Sequence, residues 1–183
     1  IDIQSNQLAD FIDTAEAVEN VSDVTQVPNM RGRITNVAGI PADEVEVAPE
    51  ARWALRGDRG ITYSATPPEG AMVVEGSWWP EDYSGPPLVS IDREIAEGMK
   101  LAIGDELTVN VMGREITAKV ANFREIDWTT MAINFVLVFD HHSLQGAPHS
   151  HLATARADGE AEDNLFRAVT DNFANISVIR MKE

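Results

Sequence analysis

Four histidines fall between positions 141 and 151, in the run His141-His142-Ser143-Leu144-Gln145-Gly146-Ala147-Pro148-His149-Ser150-His151. Imidazoles this close in sequence raise metal chemistry first, with His149 and His151 able to share one face of a strand. Gly146 and Pro148, however, make the run a loop with no acid between its histidines, and zinc needs at least three converging ligands. The histidines are therefore read as structural or surface groups, and a metal-dependent hydrolase built on 141–151 stands as the alternative function. Ser143 beside His142 is adjacency only, because neither a Gly-x-Ser-x-Gly elbow nor a Gly-Asp-Ser run is present to present a nucleophile. The carboxylate pairs Asp43-Glu44, Glu81-Asp82 and Glu162-Asp163 have the groups for acid–base work. Neighbours in sequence usually point apart, so they read as solvated charge. Arg56-Gly57-Asp58-Arg59-Gly60 is read as a tight turn whose arginines pair with local acids rather than as an adhesion motif. The remaining concentration of chemistry is aromatic: Trp78, Trp79 and Tyr83 lie in a segment framed by Gly76, Pro80, Gly85, Pro86 and Pro87. Restricted backbone and large rings suit a partner-binding surface with one tryptophan anchoring the core and the other exposed, against the plainer reading that both tryptophans belong to the core. No catalytic, cofactor-binding or metal-ligating residue is assigned.

Composition narrows the classes further. With 30 acidic and 14 basic residues the formal charge is −16, which repels phosphate backbones and excludes nucleic acid as a partner. The absence of cysteine removes disulfides, thiolate zinc sites and cysteine nucleophiles, and leaves the redox compartment open. At 183 residues and 44% hydrophobic the chain can form one sizeable core or two small lobes. No apolar run reaches the ~18 residues of a membrane span, and no signal peptide is visible. The chain opens at Ile1-Asp2-Ile3 without methionine and already in a strand-like pattern, which suggests a cut piece of a longer protein.

The elements that must position these residues follow from periodicity. Leu8, Phe11, Ile12, Ala15 and Val18 predict an amphipathic helix over 5–20, with Ser5 or Asn6 as its N-cap. Pro28 interrupts a β-favouring stretch from Val21 to Val37, and Gly39-Ile40-Pro41 marks an exposed turn. Scattered Gly and Pro through the middle predict short strands and ordered loops. Ile91, Ile95 and Met99 fit a short helix ending near Gly98, and alternation on either side of Met112-Gly113 predicts a hairpin with one buried face. Phe135–Phe139 and Leu152–Ala155 read as buried strands. Ala161, Leu165, Ala168, Val169 and Phe173 form a second amphipathic helix, followed by a strand over Ile176-Ser177-Val178-Ile179. A β-α-β unit at each end around a β-rich middle predicts an α+β fold, a discontinuous lobe of 1–47 and 150–183 with 48–149 inserted.

The stretch from Leu88-Val89-Ser90 through Ile103-Gly104-Asp105-Glu106-Leu107 to Val120-Ala121 resembles the MacB-like periplasmic core domain of FtsX-like ABC transporter permeases. Met30-Arg31-Gly32-Arg33-Ile34, Trp53-Ala54-Leu55-Arg56-Gly57-Asp58-Arg59-Gly60, Trp78-Trp79-Pro80, Gly85-Pro86-Pro87-Leu88-Val89-Ser90, Gly113-Arg114-Glu115-Ile116-Thr117-Ala118, Ile133-Asn134-Phe135-Val136 and Gly146-Ala147-Pro148-His149-Ser150-His151-Leu152 look like the YbbP-type members. The resemblance covers nearly the whole chain. It implies a two-lobed periplasmic domain of a bacterial inner-membrane protein, with 1–47 and 150–183 as a porter-like lobe and 48–149 as a Sabre-like lobe. It also implies a place after the first transmembrane helix, a cytoplasmic ABC ATPase as partner, and a link to a periplasmic lysophospholipase or arylesterase and a lipid-related substrate. The segment departs from a whole transporter in having neither a membrane span nor a Gly-x-x-x-x-Gly-Lys phosphate loop, so it neither transports nor hydrolyses ATP by itself.

Overall fold

The computed structural model describes residues 3–127, 129 and 133–181. In chain order they form β1 (Ile3–Gln4), α1 (Leu8–Glu16), β2 (Val21–Val37), β3 (Ile40–Pro41), β4 (Arg59–Ser64), β5 (Ala71–Gly76), β6 (Leu88–Asp92), α2 (Arg93–Gly98), β7 (Glu106–Val111), β8 (Arg114–Ile126), β9 (Leu137–Asp140), α3 (His141–Leu144), β10 (Ser150–Ala157) and α4 (Glu160–Asn172). Short 3₁₀ turns occupy Ser5–Gln7 and Pro49–Leu55. Helices and an extensive mixed sheet give an α+β composition. Two compact units result, one of residues 1–29 with 148–183 and one of 30–147, so residues 30–47 group with the larger unit.

In the smaller unit β10 pairs antiparallel with β1 on one side and with the first part of β2 on the other. Pro28 does not interrupt β2: it lies opposite His151 on the edge strand of this three-stranded ladder, a position that tolerates a missing N–H. Helix α1 is shorter than the predicted 5–20. The α-helix begins at Leu8 behind the 3₁₀ turn, so neither Ser5 nor Asn6 caps it. After Glu16 the chain tightens, with Val18 N–H on the Ala15 carbonyl, and turns away at Asn20, whose φ is 65°. Phe11 of α1 meets Phe173 at the end of α4 with ring centroids 5.9 Å apart, and Ile3, Val169 and Ile176 complete this core beside Leu8, Ile12 and Leu165.

The predicted strand 176–179 does not form. Ile176 is buried in the small core, but Ile179 is 83% exposed, and Arg180 reaches Glu162 at 3.3 Å and Asp163 at 3.0 Å while lying over the Phe166 ring. Side-chain tethers to α4 therefore hold the tail where a ladder was expected. The Ile1-Asp2 end of the expected opening strand lies outside the described residues. Strand β10 is mostly half-buried rather than fully buried, as its place over a thin unit requires.

In the larger unit the strand pairing closes on itself: β2 to β4, β4 to β9, β9 to β6, β6 to β8, β8 to β7, and β7 back to β2. Two of these contacts, β4 with β9 and β6 with β8, are parallel. Inward residues such as Ile34, Ile61, Val89, Ile91, Val109, Val120, Leu137 and Phe139 fill the enclosure. The Met112-Gly113 hairpin turn has positive φ at both residues (52° and 87°), which matches the twist of the strands it joins. Met99 and Ile95 belong to α2 and its end, whereas Ile91 sits on β6, and the Asp92 carboxylate caps α2 by accepting from Ile95 N–H at 3.2 Å. Strand β5 extends the far half of β8.

Candidate partner-binding surface

The aromatic segment leaves β5 at Gly76, where φ is +77° and a Cβ would stand 2.3 Å from the Ala121 carbonyl oxygen. Only glycine permits this approach, which lets Ser77 N–H reach the same carbonyl and Ser77 C=O accept from Asn122 Nδ2 at 3.3 Å. The following indoles are fixed by consecutive carbonyls at the end of β4: Trp78 Nε1 donates to Ala65 at 3.0 Å and Trp79 Nε1 to Ser64 at 2.8 Å. Their rings consequently lie together, 4.1 Å between centroids and tilted by 32°, rather than on opposite sides of a strand. Trp79 is 4% exposed and belongs to the interior, while Trp78 is half-buried.

Tyr83 turns back on its own loop. Its N–H bonds the Pro80 carbonyl, its hydroxyl donates to the Pro86 carbonyl, and its ring covers Gly85. Burial, with the negative charge of Asp140 added, raises its phenol above the ordinary tyrosine range, so it remains a neutral donor. The structure thus brings Trp78 and Trp79 into contact and leaves Tyr83 as a separate clasp on the same rigid segment. The three residues combine apolar ring faces with polar tips already satisfied by main chain, an arrangement suited to contact rather than catalysis.

His141 and His142 stand on α3 in the larger unit, and His149 and His151 belong to the smaller one, where their rings meet edge to face with centroids 5.0 Å apart. His151 is buried, with Nδ1 2.8 Å from Gln26 Oε1 and Nε2 3.2 Å from Ser5 Oγ, so both ring nitrogens are engaged by protein. Desolvation, with the nearby His149 as a smaller cause, lowers its pKa. Among the described residues no three His, Asp or Glu side chains group as metal ligands. Ser143 Oγ donates to the Asp140 carboxylate at 2.8–2.9 Å, and that carboxylate also accepts from Ser143 N–H and Leu88 N–H. Asp140 is therefore a helix cap and strand clamp, and the hydrolase alternative finds no support in this geometry. Glu162 and Asp163 hold Arg180 as described, and Arg59 engages the Arg56 carbonyl and the Trp53 ring rather than a local acid.

A buried polar network escaped the sequence reading. Arg124 on β8, 1% exposed, donates to Ser90 Oγ at 2.9 Å and to the Phe135 and Val136 carbonyls. Ser90 Oγ in turn donates to Asn122 Oδ1. Burial lowers the Arg124 pKa to about 10, against the opposing pull of Asp92, so the guanidinium stays charged at neutral pH. Local alternation does not reveal it: Val89 pairs with Val120 but Ser90 pairs with Asn122, so the extra residue Ala121 in β8 turns Asn122 and Arg124 to the face opposite Ala118 and Val120.

No helix among the described residues is long and apolar enough to cross a membrane. No family model matches the chain. Over 152 residues, 83% of its length, the chain is 28% identical to the uncharacterized ABC transporter permease YbbP of Escherichia coli (strain K12), and the match spans 18% of that protein. This mixed α and β chain is thus similar, over most of its length, to a minor part of an ABC transporter permease.

Proposed function

We propose that this chain is the extracytoplasmic, periplasmic domain of an ABC transporter permease subunit of the FtsX-like, MacB-like type, a non-catalytic module that transmits ATP-driven motion. The observation that supports the reading is the similarity to a permease along 83% of the chain. In this reading the unit of 1–29 and 148–183 is the porter-like lobe and the unit of 30–147 is the Sabre-like lobe. A cytoplasmic ABC ATPase drives the membrane part, and the domain grips or releases a lipid-related substrate or a periplasmic lysophospholipase or arylesterase. Trp78 and Tyr83 present the contact surface on a segment that Trp79 anchors. The fixed backbone of that segment supports this assignment, since a rigid loop loses little entropy on binding.

Two measurements test the proposal. The open reading frame should encode about 20 apolar residues before Ile1 and further such spans after Glu183; a frame lacking them removes the permease assignment. Binding to the esterase encoded beside the transporter should weaken about tenfold or more, roughly 1.4 kcal/mol, in Trp78→Ala or Tyr83→Ala protein that melts like the parent. If all folded variants bind as the parent does, the aromatic segment is a structural staple.

A further inference from the structure

Within the larger unit one line of buried polar contacts joins two distant stretches of sequence. At one end the Arg124 guanidinium holds the carbonyls of Phe135 and Val136, immediately before β9. At the other, Asn122 Nδ2 holds the Ser77 carbonyl, immediately before the paired tryptophans. Ser90 Oγ bridges them, accepting from Arg124 Nη1 and donating to Asn122 Oδ1. Ser90 and Asn122 have no exposed surface, and Arg124 has 1%.

We propose that Arg124, acting through Ser90 and Asn122, is a positioning residue for the Ser77–Tyr83 segment, so that this segment is held in its binding geometry only while the guanidinium holds the 135–136 backbone. A buried charge is costly to leave without its partners, so displacement of Phe135 and Val136 obliges Arg124 to move. Ser90 then has no donor fixing its hydroxyl, and Asn122 loses the orientation that serves Ser77. Contiguous hydrogen bonds in a dry interior are a physical route for such coupling. The charged state persists at neutral pH, since burial brings Arg124 only to about 10. As a means of regulating partner binding this rests on the proposed role of the aromatic segment; the coupling itself does not.

The test is hydrogen exchange at the Trp78 and Trp79 indole N–H groups and at the Ser77 and Tyr83 amides, all of which donate to main-chain carbonyls in the parent. Ser90→Ala removes the bridge with little change in volume, and Arg124→Lys keeps the charge but not the fork. Ile34→Val trims the same core away from the network and serves as control. Ser90→Ala is expected to accelerate exchange at these four sites by about tenfold or more beyond its effect on global stability, with Ile34→Val tracking global stability alone. Arg124→Lys, if folded, should do the same. Exchange in Ser90→Ala that merely follows global stability overturns the relay, whatever becomes of Arg124→Lys. In the second arm, Ser90→Ala should weaken esterase binding in proportion to the loosening. Unchanged binding with a loosened segment overturns the regulatory role and leaves the relay standing. A parent that does not bind the esterase at all overturns the partner assignment, and exchange alone then decides the relay.

Discussion

An indole N–H left without an acceptor in an interior is destabilising, and the two tryptophans meet this requirement on adjacent carbonyls, so their substitution should separate packing from surface. Trp79→Ala empties a buried site and is expected to cost roughly 3 to 5 kcal/mol by thermal or urea unfolding, whereas the half-buried Trp78→Ala should cost clearly less. Equal losses would place Trp78 in the core as well. The sequence made the pair conspicuous but did not tell which ring was inside, because that depends on the Ser64 and Ala65 carbonyls lying within reach of the two indoles, a tertiary fact. Asn122 and Arg124 were not legible, because the extra residue Ala121 takes them off the alternation of Ala118 and Val120, and what buries the opposite face is a tertiary matter. His151 gives a pH prediction. Its pKa is lowered in the fold, against ~6.5 in the unfolded chain, so the unfolded state takes up the proton first as pH falls. Its contribution to stability is complete above the unfolded pKa and is lost as pH drops from there toward the lower folded value. His151→Gln should therefore melt with a shallower pH dependence than the parent between about pH 7 and 5; parallel curves would show that the ring does not titrate differently on folding.

At the scale of elements, helical periodicity was the most reliable guide, since the 3.6-residue repeat of Leu8, Phe11, Ile12 and Ala15 and that of Ala161, Leu165 and Val169 each specify one buried stripe. Those stripes meet each other. Phe11→Ala and Phe173→Ala should each cost about 3 to 5 kcal/mol, and a double-mutant cycle should return a coupling of roughly 0.5 to 1.5 kcal/mol for the ring pair. Near-neutral single variants would mean the helices are held by something else. The hairpin about Met112-Gly113 was equally legible, for alternation on both sides of a two-residue turn admits one register. Strand pairing over long separations was not. That β2 runs through Pro28 opposite His151, and that β7 returns to β2 to close the enclosure, depends on partners far away in sequence, which no local pattern reports. The expected strand at 176–179 failed for the opposite reason. Its β-branched residues satisfy local propensity, yet Arg180 finds Glu162 and Asp163 on a helix, and tertiary contact overrides propensity.

For the whole molecule, a charge of −16 implies self-repulsion that salt should relieve. The melting temperature is expected to rise by several degrees between roughly 0.02 and 0.5 M sodium chloride, as the Debye length shrinks to a few ångströms; a fall would point to dominant ion pairing instead. Dialysed protein should hold less than stoichiometric zinc, because His151 has both nitrogens engaged and no three ligand side chains group among the described residues. Retention of one zinc per chain would reopen the metal reading. Gln7 and Asn175 exchange reciprocal amide bonds of 2.8 and 2.9 Å, joining the first and last parts of the chain within the smaller unit. Tension applied at the two ends is therefore borne by that unit alone, while residues 30–147, entered and left in the interior of the sequence, stay outside the load path until it opens. Stretched end to end, a single molecule should lengthen in two steps, the smaller unit yielding first, and a reagent that locks Gln7 to Asn175 should make the molecule behave under tension like a short, inextensible link.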